Sequence, residues 1–155
     1  MFCGDSRDES REHWAWVSPN ANYESSGKER MRVERQPDGT YKLFNKKWKG
    51  PLFCGIGTDS CGDHWTWFPE TPNWNNRGKP GLWVIKKESD GWYTITNKTF
   101  GGPLFCGSGT DGCGDHWAWV PKNPTDYDNN DKARWKFQQM EIPKGKMNDF
   151  FIHLR

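Results

Sequence analysis

The sequence predicts an all-β domain built from three repeated units, each with about four short strands, closed with internal pseudo-threefold symmetry. Three observations predict it. The chain repeats itself with a period of 51 or 52 residues, Asp-Gly turns separate alternating runs, and a polar composition is offset by many large aromatics.

The repeat is the strongest of the three. Pro51 to Pro69 reads PLFCGIGTDSCGDHWTWFP and Pro103 to Pro121 reads PLFCGSGTDGCGDHWAWVP, with fifteen of nineteen positions identical at an offset of 52. The first residues carry a decayed copy, MFCGDSRDESREHWAWVSP, in which Phe2, Cys3, Gly4, Asp8, His13, Trp14 and Trp16 stay in register. Ser10 stands there in the place of Cys61 and Cys113. The units run 1–51, 52–103 and 104–155 in one domain spanning 1–155.

Each unit offers four strand-like runs in order. The first is Leu-Phe-Cys, and the second is His-Trp-x-Trp followed by an apolar residue. The third begins at Trp83 or Trp135. The fourth is Tyr-x-Ile in the second unit and Phe-Phe-Ile in the third. Asp38-Gly39 and Asp90-Gly91 lie between the last two runs of their units, a strong hairpin signal. Pro143-Lys144-Gly145-Lys146 occupies that place in the third unit. No segment has the spacing and caps of a useful amphipathic helix.

Composition narrows the class. Eleven Trp, nine Phe and four Tyr accompany a mean hydropathy of −1.05, so the core must rest on a few large aromatics. Disordered chains are poor in such residues. The 22 basic and 20 acidic side chains give a net charge of +2, no footprint for nucleic acid. Lys46, Lys47 and Lys49 read as a solvated loop. No apolar run is long enough for a membrane span. The first motif follows Met1 directly, so a cytoplasmic protein is expected, or a secreted one without a visible signal.

Three copies are too few for most propellers, and an open solenoid would leave its ends uncapped. The segment GWYTITNKTFGGPLF, a Tyr-x-Ile-x-Asn run, a Gly-rich turn and Leu-Phe, resembles the repeat of β-trefoil proteins. The resemblance implies a β-trefoil, with a β-prism as second choice.

The segment most alike between copies is Cys-Gly-x-Gly-Thr-Asp-x-Cys-Gly-Asp-His-Trp-x-Trp, a polar loop running into an aromatic strand. Packing alone would let such a loop drift, so a functional loop is expected. In an extended strand Trp65 and Trp67 share one face with Asp63, while His64, Thr66 and Phe68 share the other. One Trp of each pair is expected in the core, and the other exposed beside a carboxylate. The bland alternative makes both structural. A carboxylate, an imidazole, backbone N–H groups opened by glycine and an aromatic face suit a sugar: paired hydroxyls meet the carboxylate and the ring covers the C–H face of a pyranose. A second aromatic follows in each unit, at Tyr23, Trp74 and Tyr127.

β-trefoil lectins of the ricin and mussel types place one shallow sugar site in each repeat, built from an Asp, an aromatic and often a His. This resemblance implies a multivalent lectin with sites at Asp59, Asp63, His64, Trp65 and Trp74, and at Asp111, Asp115, His116, Trp117 and Tyr127. Glu12, His13 and Trp14 would form a degenerate third site. Glycans or glycoconjugates are the expected partners, with a homodimer as a further option. No cofactor and no catalysis are expected, since a triplicated loop gives no reason for a single active site.

Two further readings stay open. A protein-binding trefoil, such as a protease inhibitor, would use one loop asymmetrically. A zinc-binding repeat could use Cys-x6-Cys-x2-His with the adjacent Asp. Cys54–Cys61 and Cys106–Cys113 could instead be short-range disulfides or free thiols, with Cys3 unpaired.

Overall fold

The fold comes from a computed structural model and is described for residues 1–9, 11–18, 28–70, 79–125, 130–139 and 149–154. Among these residues there are twelve strands, two 3-10 turns at Lys79–Gly81 and Asp131–Ala133, and no α-helix. The first unit contributes β1 (Phe2–Arg7), β2 (Glu12–Val17), β3 (Arg30–Arg35) and β4 (Tyr41–Asn45). The second contributes β5 (Phe53–Thr58), β6 (His64–Pro69), β7 (Trp83–Lys87) and β8 (Tyr93–Asn97). The third contributes β9 (Phe105–Thr110), β10 (His116–Val120), β11 (Trp135–Gln139) and β12 (Asp149–Leu154). The four runs expected in each unit are therefore strands. The substituted turn at 143–146, together with Tyr23, Trp74 and Tyr127, lies outside the described residues.

The twelve strands make two sheets. One is a closed barrel in the order β11-β12-β3-β4-β7-β8. Its hairpins β3–β4 and β7–β8 close through the Asp-Gly turns. Gly39 and Gly91 take φ of 83° and 86°, the left-handed region that costs a residue with a Cβ. Asp38 Oδ1 accepts the Thr40 N–H at 3.0 Å and Asp90 Oδ1 that of Trp92 at 3.1 Å. The exposed Asp38 carboxyl is held well below its usual range, first by the Lys98 ammonium and then by Thr40.

The other sheet is a cap of three hairpins, β1–β2, β5–β6 and β9–β10. The inner strands β2, β6 and β10 pair with one another all the way round. Each cap hairpin of the second and third units lies in the chain between two paired barrel strands, β4 with β7 and β8 with β11.

Between barrel and cap lies one core, built in sets of three. Met31, Trp83 and Trp135 form one set; Leu43, Ile95 and Ile152 another; Met1, Leu52 and Leu104 a third. All nine are buried. Trp83 and Trp135 are fully enclosed, and each indole N–H donates to a carbonyl 2.9 Å away, Leu52 for one and Leu104 for the other. Burying one indole removes roughly 200 Å² from water, an upper estimate of about 5 kcal/mol. A polar chain thus obtains its core from few residues. Asn45 and Asn97, also buried, have matching amide contacts. Their Nδ2 groups donate to Lys28 O at 2.6 Å and Pro80 O at 2.7 Å, and their Oδ1 atoms each accept two backbone N–H groups. Each closes the loop after its strand without leaving a buried polar group unpaired.

Candidate functional site

The cap strands follow the predicted alternation, with an outcome the alternation alone does not decide. His13, Ala15 and Val17 of β2, Thr66 and Phe68 of β6, and Ala118 and Val120 of β10 are held close to the core or inside it. The tryptophans of Trp-x-Trp all point to the opposite, outer face. The expectation that one Trp of each pair enters the core is met only in the third copy, where Trp119 packs in a buried cluster with Phe105 and Ala133; both tryptophans of the other two pairs are half-buried. A core position on these strands is already filled by a small or apolar neighbour, and strict alternation sends both tryptophans the other way.

On the outer face the rings line up in three cross-strand rows. Phe2 pairs with Trp16 and Trp16 with Trp117. Phe53 pairs with Trp67 and Trp67 with Trp14. Phe105 pairs with Trp119 and Trp119 with Trp65. The tryptophan ring centroids within the rows are 4.9, 3.5 and 3.7 Å apart, tilted by 32–37°. The inner rings also meet edge-on, Trp14 with Trp65 at 4.7 Å and Trp65 with Trp117 at 6.4 Å. Phe2, Phe53 and Phe105 are buried and Trp119 is 9% exposed, while Trp14, Trp16, Trp65, Trp67 and Trp117 are half-buried.

Glycine makes room for this arrangement. A Cβ on Gly4, Gly55 or Gly107 would stand 2.6, 3.3 or 2.7 Å from the indole nitrogen of Trp16, Trp67 or Trp119. Each outer tryptophan lies across the glycine of the neighbouring strand. Just beyond, the pairing register slips between Cys54 and Thr58, and between Cys106 and Thr110. The residues at the slip are open to solvent: Ile56 is 83% exposed, and Gly57, Thr58, Ser108, Gly109 and Thr110 are exposed with it. Bulged strands of this kind re-aim side chains and expose backbone polar groups.

The polar loop is a hairpin turn. Asp59 Oδ1 accepts the N–H groups of Cys61 at 2.8 Å and Asp63 at 2.9 Å, while Gly62 takes φ 89°. Asp111 does the same for Cys113 and Asp115 at 2.8 and 3.0 Å, with Gly114 at φ 83°. In the first copy Asp8 Oδ1 accepts Glu12 N–H at 2.9 Å, and Arg11 takes the glycine's place at φ 60°. An Asp at the start and a left-handed residue before the strand are what this turn requires, so the identity of the loops follows in large part from backbone geometry.

The predicted site residues therefore separate. Asp63, half-buried, shares its strand face with Trp65, and its Oδ1 lies 3.4 Å from Lys122 N. Asp115 and Glu12, beside Trp117 and Trp14, are buried. Asp59 and Asp111 hold the turns. The histidines belong to the opposite face from the tryptophans. His64 stacks on Phe100 at 3.9 Å and its Nδ1 is 3.1 Å from Gly55 O. His13 is buried against Trp48 at 4.0 Å, with Nε2 3.2 Å from Glu70 Oε1. Arg7 grips the same carboxylate at 2.8 Å and, with His13, holds its pKa below the usual range. His116 is half-buried on the same strand face as His64. Phe2, Phe53 and Phe105, with their glycines, are the members of the face that side-chain chemistry did not single out; their presence in all three copies was the available signal.

The cysteines are placed by the same alternation. Cys3, Cys54 and Cys106 are buried in the core, Cys61 and Cys113 are exposed in the turns, and all five are free. Of the readings left open for Cys54–Cys61 and Cys106–Cys113, the arrangement agrees with free thiols, since one cysteine of each pair is buried and the other lies in the exposed turn. The same split stands against the zinc arrangement, and no cluster of three or more metal-capable side chains occurs among the described residues. Burial pushes the thiols of Cys3 and Cys54 well up, and that of Cys106 to about 11.

No protein-family model matches the chain, and no curated protein sequence is similar to it. No helix among the described residues is long and apolar enough to cross a membrane.

Proposed function

We propose that the chain is a carbohydrate-binding protein with a β-trefoil fold, and that the outer face of the cap takes the C–H faces of pyranose sugars. The trefoil reading is supported by the order of strand, hairpin and strand around a six-stranded barrel. The observation that carries the sugar reading is the set of five half-buried indoles, Trp14, Trp16, Trp65, Trp67 and Trp117, gathered on one face with glycine-containing strands beside them. Indole rings offer an apolar surface, and the exposed backbone at the register slips offers hydrogen bonds for hydroxyls. That pairing of surfaces suits a ligand whose rings are apolar on their faces and polar around their edges. Multivalency follows from repetition, since linked weak sites gain avidity without new contacts.

Within this reading the carboxylate with the best claim is Asp63, half-buried beside Trp65. A glycan array followed by calorimetric titration tests the proposal. Binding is expected, and Asp63→Ala should weaken it about tenfold or more through loss of a charged hydrogen bond. A folded protein that binds no glycan at millimolar sugar would end the reading.

A further inference from the structure

Beyond the presence of sugar sites, the rows determine how those sites are divided among the repeats. We infer that the outer face is one site shared by all three units, whose ligand is a single oligosaccharide offering several pyranose faces at once. This rests on the carbohydrate reading above. Each row takes its Phe and first Trp from one hairpin and its last Trp from another: Phe53 and Trp67 with Trp14, Phe105 and Trp119 with Trp65, Phe2 and Trp16 with Trp117. The inner rings then touch across units, at 4.7 Å for Trp14 with Trp65 and 6.4 Å for Trp65 with Trp117. No row is complete within one repeat.

The first unit is consequently a full member of the site. It has lost a turn cysteine and its turn glycine, yet it keeps Phe2, Gly4, Trp14 and Trp16. Trp16 lies over Gly4 as Trp119 lies over Gly107, with hypothetical Cβ separations of 2.6 and 2.7 Å. The first unit differs in the turn, at Asp5, Ser6 and Arg7 of β1 and at Glu12, while its rings and Gly4 are kept. Two rows out of three depend on its tryptophans. Adjoining ring pairs, each too small to hold one sugar tightly, would act together on a ligand that spans them, and the second contact becomes intramolecular.

Cello-oligosaccharides and chito-oligosaccharides of one to four units, whose equatorial substituents leave both ring faces apolar, are suitable probes. Titration of the intact chain should give one oligosaccharide per protein, with affinity rising about 10²-fold from the monosaccharide to the trisaccharide. Trp16→Ala should reduce trisaccharide affinity as strongly as Trp67→Ala. Trp16→Phe, which keeps a ring over Gly4, should give an intermediate loss and decides the matter if the alanine variant fails to fold. Near-ultraviolet circular dichroism reports folding for each variant. Two or three equivalents bound with no dependence on length, or unchanged affinity in a folded Trp16→Phe, would overturn the shared face while leaving the sugar reading intact. Failure of the unaltered protein to bind either series or any arrayed glycan would overturn both.

Discussion

The barrel and the cap contain six strands each, two from every unit, yet they treat sequence differently. In the barrel the equivalent core positions are filled by unlike residues: Met31 stands with Trp83 and Trp135, and Leu43 with Ile95 and Ile152. On the cap's outer face the ring and glycine positions are identical, with Phe, Gly and two tryptophans in all three units. The difference lies in how volume is shared. Three side chains meeting inside a closed barrel can compensate for one another, because total volume and patterning are what a core must keep. A ring laid across a glycine has no such partner, and any added carbon meets the ring directly.

The largest loss of stability is expected in the barrel. Trp135→Ala should cost about 3–5 kcal/mol in denaturant unfolding, since it empties a fully buried site and leaves the Leu104 carbonyl without its indole donor. Trp135→Met, copying the first unit, should cost much less. A result in which both substitutions cost the same would contradict the idea that the barrel core exchanges volume.

In the cap the expected effect is smaller but sharper in position. Gly107→Ala would place a carbon 2.7 Å from the Trp119 nitrogen and should cost about 1–3 kcal/mol, with a changed near-ultraviolet tryptophan signal. Gly57→Ala has no atom within 4 Å of the new carbon and should be nearly silent. Equal costs at the two glycines would remove the steric account of the outer rows.

The turns give the next effect. Asp111→Ala should lose about 1 kcal/mol as two backbone N–H groups lose their acceptor. Arg11→Gly, at φ 60°, should gain about 1 kcal/mol by relieving a left-handed arginine. Thermal melting of both variants checks the pair.

The mildest test, at neutral pH, is chemical. A thiol reagent should modify Cys61 and Cys113 quickly in the folded protein, and Cys3, Cys54 and Cys106 only after unfolding. The buried thiols stay protonated in the fold, whereas an unfolded thiol ionises near its ordinary value of about 8.5. The unfolded chain therefore binds fewer protons above that value. Stability should fall as pH rises from about 8.5 towards 11, the value for Cys106, with Cys3 and Cys54 continuing the decline beyond it. Flat stability across that range would contradict the burial of these thiols.

Much of the fold was legible in the sequence because its signals are local: a fixed period, Asp-Gly turns and strict alternation along His-Trp-x-Trp. The site was only half legible. Alternation states that Trp65 and Trp67 share a face but not which face is inside, and Thr66 gives little apolar weight to the side that turned out to be core. Asp59 and Asp111 looked like ligand residues because a turn that uses a carboxylate and a sugar site that uses one carry the same letters. The placement of Phe53 and Gly55 beside Trp67 depends on strand register, which no single run contains.

The circular arrangement of the rows bears on how the protein can be assembled at all. A chain of stacked repeats can lengthen or shorten by one unit, since its end units contact a single neighbour. Here each unit completes another's row and the circuit returns to its start, so one unit in isolation has an unfinished row on both sides. A single repeat made as a separate peptide should gain its structure only by trimerisation, with a melting temperature that climbs with concentration.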